Sequence, residues 1–176
     1  MLRSLIRLLT VGGTMLALCS GTAFAATVNC TDVLCPGTAR PDTILGNALG
    51  NLIGGRGDAD LIRGGGGGDQ LIGDGQEQDA FDGADAVYGG ADDDQLFGNG
   101  GWDLLSGGRG DDLIVASEAQ TKGGEDLVRA GSGADEVDAR DGWPDAIDCG
   151  PGVDSVFFDP VLDRATNCEI RNLPPA

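Results

Sequence analysis

An aspartate two residues ahead of an apolar residue recurs about every nine residues through most of this chain. From Asp42 to Asp69 the step is nine residues without exception. A fixed period of this length predicts a stack of similar units that bury their apolar side chains against one another. The acid position reads Asp42, Asn51, Asp60, Asp69, Asp79, Asp85, Asp94, Asp103, Asp112, Asp126, Asp135, Asp145 and Asp154. The apolar position reads Ile44, Ile53, Ile62, Leu71, Phe81, Val87, Leu96, Leu105, Ile114, Val128, Val137, Ile147 and Val156.

Each unit joins a glycine-rich turn to a very short apolar-centred segment. Residues 64–72 read GGGGGDQLI, and residues 107–115 read GGRGDDLIV. Glycine permits positive φ and close backbone approach, so the chain can reverse direction within a few residues. The three residues that follow each acid suit a short strand. We therefore predict an all-β fold in which two turns complete one coil and successive coils stack as parallel strands, about 4.8 Å apart.

The period slips most at two places, and one further ten-residue step occurs at Ile147. The apolar step is ten residues at Phe81 and then six at Val87, and an insertion around Ala116–Gln120 precedes Val128. Each slip predicts either an outward loop or a break in the stack. A glycine-rich composition is also typical of disordered segments, but the fixed placement of acid and apolar residues favours an ordered stack.

Stacked carboxylates repel one another unless a cation lies between them. The formal net charge of −18 disfavours nucleic acid and anionic membranes as partners and favours cations. Calcium takes six to eight oxygen ligands, and the turns offer both carboxylates and backbone carbonyls. The chain has no histidine, so it lacks a good zinc or copper site, and magnesium demands a tighter octahedron.

The stretch from Pro41 to Phe157 resembles the calcium-binding nonapeptide repeats of the RTX (repeats-in-toxin, haemolysin-type) family, whose pattern is GGxGxDxUx. The resemblance implies a parallel β-roll with calcium ions held in the turns by the thirteen acid positions above. In a roll, turns on one edge are two repeats apart. The strongest expected pairs are therefore Asp42 with Asp60, Asn51 with Asp69, Asp85 with Asp103, and Asp94 with Asp112.

The first 25 residues are typical of a secretory signal peptide, with Arg3 and Arg7 ahead of an apolar run and Ala23-Phe24-Ala25 at the expected cleavage site. A retained membrane anchor is the alternative. Removal of the two arginines would take the charge from −18 to −20. The four remaining cysteines allow three disulfide connectivities or free thiols. We favour Cys30–Cys35 and Cys149–Cys168, because these pairs bracket the repeats.

These observations divide the chain into a signal peptide at 1–25, an N-terminal cap at 26–40, the calcium-binding roll at 41–158 and a C-terminal cap at 159–176. We expect a secreted, extracellular, monomeric structural or adhesive protein that folds on binding several Ca²⁺ ions and has no membrane span. Its partner would lie on a cell surface or in an extracellular matrix. The alternative is a calcium-dependent extracellular enzyme, polysaccharide-active or hydrolytic. No residue stands out as catalytic, and without histidine no Ser-His-Asp arrangement can form.

Overall fold

The computed structural model describes residues 26–75, 83–117 and 123–172, and these residues form strands and turns. The signal-peptide prediction, Asp79 and Phe81 lie outside the described residues. The strands are β1 Ala26–Asn29, β2 Leu34–Pro36, β3 Asp42–Leu45, β4 Leu52–Arg56, β5 Leu61–Gly66, β6 Gln70–Asp74, β7 Ala86–Ala91, β8 Gln95–Phe97, β9 Leu104–Arg109, β10 Leu113–Val115, β11 Leu127–Ser132, β12 Glu136–Ala139, β13 Ala146–Asp148, β14 Ser155–Phe158, β15 Arg164–Thr166 and β16 Ile170–Asn172.

Odd-numbered and even-numbered strands form two separate eight-stranded sheets, which we call the first and second sheets. Every pairing within them is parallel and in register, so that Ile44 lies beside Ile62 and Ile53 beside Leu71. The chain thus passes from one sheet to the other at every turn and advances by one rung per full coil. This arrangement confirms the predicted parallel β-roll.

The core lies between the two sheets and consists of two columns of apolar side chains. Every repeat-position residue from Ile44 to Val156 that the structure describes is no more than 2% exposed. The period-two alternation of strands explains this burial, since the residues on either side of each core residue point outward. One apolar side chain per strand makes a thin core, so the turns must contribute to holding the rungs together.

The stack is continuous across both slips in the period. Strand β5 pairs directly with β7, placing Leu61 beside Ala86, a separation of 25 residues. Strand β9 pairs directly with β11, placing Leu104 beside Leu127. Of the two outcomes predicted for the slips, a break in the stack is therefore excluded.

The turns form two edges with different length rules. Within the repeats, turns that lead from the first sheet to the second, counted up to the acid that ends them, run over 46–51, 64–69, 89–94, 107–112, 130–135 and 149–154, and all have six residues. We call this the regular edge; at the two ends of the roll it also carries the shorter connections 30–33 and 167–169. Turns that lead from the second sheet to the first run over 37–42, 55–60, 73–85, 98–103, 116–126, 139–145 and 158–163; we call this the variable edge. Every irregular step in the sequence falls on the variable edge.

Both ends of the roll carry a disulfide. Cys30 is joined to Cys35 and Cys149 to Cys168, with Cα–Cα distances of 5.7 and 5.2 Å, so the two local pairings are confirmed. The terminal segments join the stack as rungs: β1 and β2 pair with β3 and β4, and β15 and β16 pair with β13 and β14.

Candidate metal centre

Two ladders of acidic side chains run along the edges of the roll. At each step, one carboxylate oxygen accepts a hydrogen bond from the backbone N–H of the acid one rung earlier. Asp60 Oδ1, for example, accepts from Asp42 N at 2.7 Å, and Asp112 Oδ1 accepts from Asp94 N at 2.9 Å. The aspartate one residue ahead of each strand is thus placed by the strand register itself.

The ladders bring the sequence-predicted residues together in two rows. On the variable edge the row is Asp42, Asp60, Asp85, Asp103, Asp126, Asp145 and Asp163. On the regular edge the row is Asn51, Asp69, Asp94, Asp112, Asp135, Asp154 and Glu169. All four pairs expected from the 18-residue spacing are direct neighbours. The steps from Asp60 to Asp85 and from Asp69 to Asp94 span 25 residues. Asp79, which the period placed in the series, lies outside the described residues.

The second oxygen of most of these carboxylates is buried and has no hydrogen-bond partner among the described residues. An unpaired buried carboxylate oxygen carries a large desolvation cost, so it needs a partner from outside the chain. The atoms are the Oδ2 of Asp60, Asp69, Asp85, Asp94, Asp103, Asp112, Asp135, Asp145 and Asp154.

In several six-residue turns on both edges, a glycine five residues ahead of the acid keeps space open beside Oδ2. A Cβ on Gly107 would overlap Asp112 Oδ2 and would lie 2.5 Å from the carbonyl oxygen of Ala130 on the next rung. A Cβ on Gly55 would overlap Asp60 Oδ2 and lie 2.6 Å from the Gly73 carbonyl oxygen. A carboxylate oxygen and a carbonyl oxygen from neighbouring rungs therefore border the same small space.

Near the two ends of the roll, a backbone amide occupies the second oxygen instead. Thr38 N donates to Asp42 Oδ2 at 2.6 Å, and Asp159 N donates to Asp163 Oδ2 at 2.6 Å. Asn47 N donates in the same way to the side-chain oxygen of Asn51 at 3.0 Å. These turns satisfy their acid or amide internally, so they are poorer candidates for a cation than the turns between them.

Burial raises the pKa of several ladder carboxyls, because the charged form loses its hydration; the hydrogen bond from the neighbouring backbone N–H offsets only part of this. On the variable edge the pKa rises to about 7 for Asp60, about 6 for Asp85, about 9 for Asp103 and about 8 for Asp145. On the regular edge it rises to about 7 for Asp94 and to about 6 for Asp112 and Asp135. Burial also raises the pKa of Asp69. Without a cation, these carboxyls are difficult to keep ionised.

The donor chemistry of the ladders fits calcium. Among the described residues, no three Asp, Glu, Cys or His side chains cluster as a self-sufficient metal site. Calcium does not need such a cluster, because it mixes carboxylates with backbone carbonyls at six to eight positions. The unpaired Oδ2 atoms and the carbonyls beside the glycines supply oxygen ligands of both kinds, and a bound cation would remove the desolvation cost of the buried anions.

The sequence analysis missed three buried or ladder-forming acids at the edges of the roll. Asp163 and Glu169 continue the two ladders beyond the last predicted repeat. Asp163 stands two residues ahead of Ala165, a weak form of the repeat signal that could have been read. Asp74, which we took to lie outside the acid position, is fully buried and accepts a hydrogen bond from Gly83 N at 2.8 Å; no sequence signal predicted that burial.

Comparison with known families bears on the central part of the roll. Residues 79–114 and 120–143 match the RTX calcium-binding nonapeptide repeat in four copies, which is less than half of the chain. Neither a curated protein nor a solved structure matches the chain. The chain therefore carries calcium-binding repeats of the RTX type, as the sequence predicted, and the ladder acids from Asp85 to Asp135 lie within the matched span.

Proposed function

We propose that this chain, whose centre consists of RTX calcium-binding repeats, is a secreted structural or adhesive module that folds on binding calcium along both edges. The main support for this proposal is that both ladders contain buried Oδ2 atoms with no hydrogen-bond partner among the described residues. We assign calcium contacts to the acids of both rows, with the best-formed sites where a glycine opens the space beside Oδ2.

Calcium would act here as a structural ion. Each site would join two rungs, because it draws a carboxylate from one turn and a carbonyl from the next. Binding only to the folded chain stabilises the fold by mass action, which suits a roll with a thin core and a charge of −18. Secretion is part of the proposal because the first 25 residues are typical of a signal peptide and both disulfides suit an oxidising compartment.

The experiment is a calorimetric calcium titration of the metal-free protein, followed by far-UV circular dichroism. We expect several ions per chain and a transition from largely unfolded to β-rich in millimolar calcium. A metal-free protein with the same β spectrum and melting temperature as the calcium-loaded one would contradict the proposal.

A pair of double variants tests whether geometry or bulk charge holds the ions. Asp94→Ala with Asp112→Ala removes two neighbours of the regular ladder and should abolish at least one bound ion. Glu136→Ala with Asp148→Ala removes the same charge from exposed positions on the two sheet faces. Asp74 is unsuitable as a control because it is buried. Equal calcium loss from both double variants would show that the ladders are not the sites.

The terminal disulfides support a second part of the proposal, that the segments 26–40 and 159–176 protect the open ends of the roll. A sheet edge presents unpaired backbone groups that invite association with other chains. Cys149–Cys168 ties β15 and β16 to the last repeat. Replacing both cysteines with Ser should lower the calcium-bound melting temperature and increase self-association, while calcium binding persists. Unchanged melting and sedimentation would contradict a protective role.

A further inference from the structure

The outward face of the first sheet carries two aligned columns of side chains. One column holds the residue directly before the core residue of each strand, and the other holds the residue directly after it. In strands β5, β7, β9, β11 and β13, the first column reads Leu61, Ala86, Leu104, Leu127 and Ala146, and the second reads Arg63, Tyr88, Ser106, Arg129 and Asp148. All ten residues are half-buried or exposed. The face therefore combines an aliphatic column with a polar and charged one.

This face, unlike the chain as a whole, is not acidic. Its two arginines and one aspartate sum to +1, whereas the chain carries −18. Neither Arg63 nor Arg129 forms an ion pair within the described part of the chain, and Arg63 lies over the Tyr88 ring with its guanidinium carbon 5.7 Å from the ring centroid. Asp148 Oδ1 accepts a hydrogen bond from Asn167 Nδ2 at 2.7 Å, which leaves Oδ2 for a further donor. Charges of both signs on this face are thus available to a partner.

The charged column is complementary to a second copy of itself. A two-fold axis that lies between two facing sheets and runs along their strands keeps each column opposite the same column and reverses the order of the strands. With this axis over β9, Arg63 lies opposite Asp148 of the second copy, and Tyr88 lies opposite Arg129 of the second copy. The first contact is an ion pair and the second a cation–π contact, and the symmetry forms each of them twice. Ser106 lies opposite itself on the axis.

The aliphatic column is complementary in size under the same symmetry. Leu61 lies opposite Ala146 of the second copy, and Ala86 lies opposite Leu127 of the second copy, so a leucine meets an alanine on both sides of the axis. Leu104 lies opposite itself at the centre. Alternation of large and small residues across facing positions lets two layers interdigitate at the packing density of a protein interior. Facing sheets in β-sandwiches keep their strand directions within about 30° of each other, as this axis requires.

Other positions of the axis lose this complementarity. With the axis over β11, Arg129 lies opposite itself, and with the axis midway between β7 and β9, it lies opposite Arg63. Like charges that face each other across an interface disfavour that arrangement. Axes over β7, or midway between β9 and β11, place no arginine opposite Asp148. The position over β9 is therefore the one among these that pairs Arg63 with Asp148.

From this self-complementarity we propose that two calcium-loaded chains form a dimer through their first-sheet faces, with the two-fold axis over β9. The dimer goes beyond the function proposed above and replaces the monomer expected from the sequence. It rests on the calcium-dependent fold of that proposed function, because the folded roll aligns the columns and bound ions neutralise the acids that otherwise keep two copies apart. Five strands about 4.8 Å apart extend over about 20 Å, so the interface is small and we expect a micromolar dissociation constant.

The test is sedimentation equilibrium of the calcium-loaded protein up to submillimolar concentration, with charge reversal and rescue. Arg63→Asp and Asp148→Arg each leave two like charges opposite one another, so each should weaken the dimer at least tenfold. The double variant restores a pair of opposite charges and should recover most of the affinity. The single variants change the net charge from −18 to −20 and to −16, so an effect of bulk charge would move the affinity in opposite directions.

A second pair of variants tests which sheet forms the interface. Leu104→Arg places two like charges on the axis and should be monomeric. Its matched control is Leu113→Arg, because Leu113 is also half-buried and stands directly before the core residue Ile114, but lies on the second sheet. A wild-type chain that stays monomeric, a double variant that does not recover, or dissociation by Leu113→Arg alone would each overturn the proposal. Calcium stoichiometry and circular dichroism on the same samples distinguish a failure to dimerise from a failure of the calcium fold.

Discussion

The two edges of the roll carry the same acid ladder but obey different rules on turn length. Within the repeats, connections on the regular edge all have six residues, whereas two connections on the variable edge have eleven and thirteen. On the regular edge the strands continue into the turns: Gly90, Gly108 and Gly131 lie in register, as do Ala91, Arg109 and Ser132. Pairing between turns therefore sets their length there.

On the variable edge, strands β8 and β10 end before the turns, at Phe97 and Val115. Elsewhere on this edge backbone pairing reaches only the first few residues of a turn, as at Arg56 beside Asp74, and the acid ladder holds the last residue. The residues between these two points are free to vary in number. The comparison teaches that the ladder sets where each turn ends, and that pairing between neighbouring turns decides how long it must be. Both the insertions in the repeat and the exposed tryptophans, Trp102 and Trp143, lie on the variable edge, where turn length is not constrained.

The largest effect is expected from moving an insertion to the other edge. Five Gly/Ser residues placed between Gly108 and Arg109 should cost about 3 kcal/mol, since roughly three turn-to-turn hydrogen bonds at about 1 kcal/mol each would be lost. Deleting 76–82 should change stability by less than about 1 kcal/mol, because loop length carries a small entropy term. Calcium-loaded thermal melts compare the two, and equal destabilisation would remove the proposed difference between the edges.

A methyl group beside Oδ2 should next distinguish Gly107 on the regular edge from Gly98 on the variable edge. Gly107→Ala meets both Asp112 Oδ2 and the Ala130 carbonyl oxygen, so we expect a loss of about 1–3 kcal/mol from overpacking. The three atoms nearest to a Cβ on Gly98 all belong to the Asp103 side chain, so the loss in Gly98→Ala should be smaller. Chemical denaturation in calcium measures both, with Gly54→Ala as the control because no atom lies within 4 Å of its Cβ position. An equal loss in the two variants would contradict the role of the carbonyl.

The pH dependence of the metal-free protein should follow the raised pKa values. A carboxyl whose folded pKa lies above its unfolded value stabilises the fold fully below the unfolded pKa, near 4, and this stability disappears as pH rises through the folded pKa. With folded pKa values from about 6 for Asp112 to about 9 for Asp103, the metal-free chain should hold more β structure at pH 4.5 than at pH 8. Circular dichroism after removal of calcium measures this, and a pH-independent spectrum would contradict it.

The same pKa values separate the edges. Asp103→Asn on the variable edge should stabilise the metal-free fold at pH 8 more than Asp112→Asn on the regular edge, since burial raises the pKa of Asp103 further. Both variants should weaken calcium binding. The opposite order of metal-free stability would indicate that the two carboxyls do not differ in burial as the structure has them.

The smallest effect concerns backbone strain at one position of the variable edge. Arg56 has a φ of 93°, at the turn position where the regular edge has Gly108 with a φ of 119°. A positive φ costs a side-chain-bearing residue about 1–2 kcal/mol, and the added freedom of glycine in the unfolded chain offsets about 0.4–1 kcal/mol. Arg56→Gly should therefore raise stability slightly, and Gly108→Ala should lower it. A calcium-loaded melt in which Arg56→Gly is destabilising would contradict this account.

The repeat could be recognised in the sequence because each of its parts follows from residues close together in the chain. An acid two residues ahead of a buried apolar residue, as in Asp94 and Leu96, follows from strand alternation, and glycine marks the turns between strands. These local rules were sufficient to predict stacked parallel strands and the core. The resemblance to RTX repeats implied the roll and the four neighbouring pairs such as Asp94 with Asp112, and the position of the cysteines around the repeats indicated the local disulfides.

Only the tertiary structure decided which rungs are neighbours where the period slips, since Asp60 lies beside Asp85 rather than 18 residues away. It also decided that the changes of period within the repeats share one edge, that Trp102 and Trp143 lie on that edge, and that Asp163 and Glu169 extend the ladders. The physical reason is that these features depend on pairing between distant strands. A local pattern can predict that a turn ends in an acid. The pairing between rungs determines which backbone N–H donates to that acid.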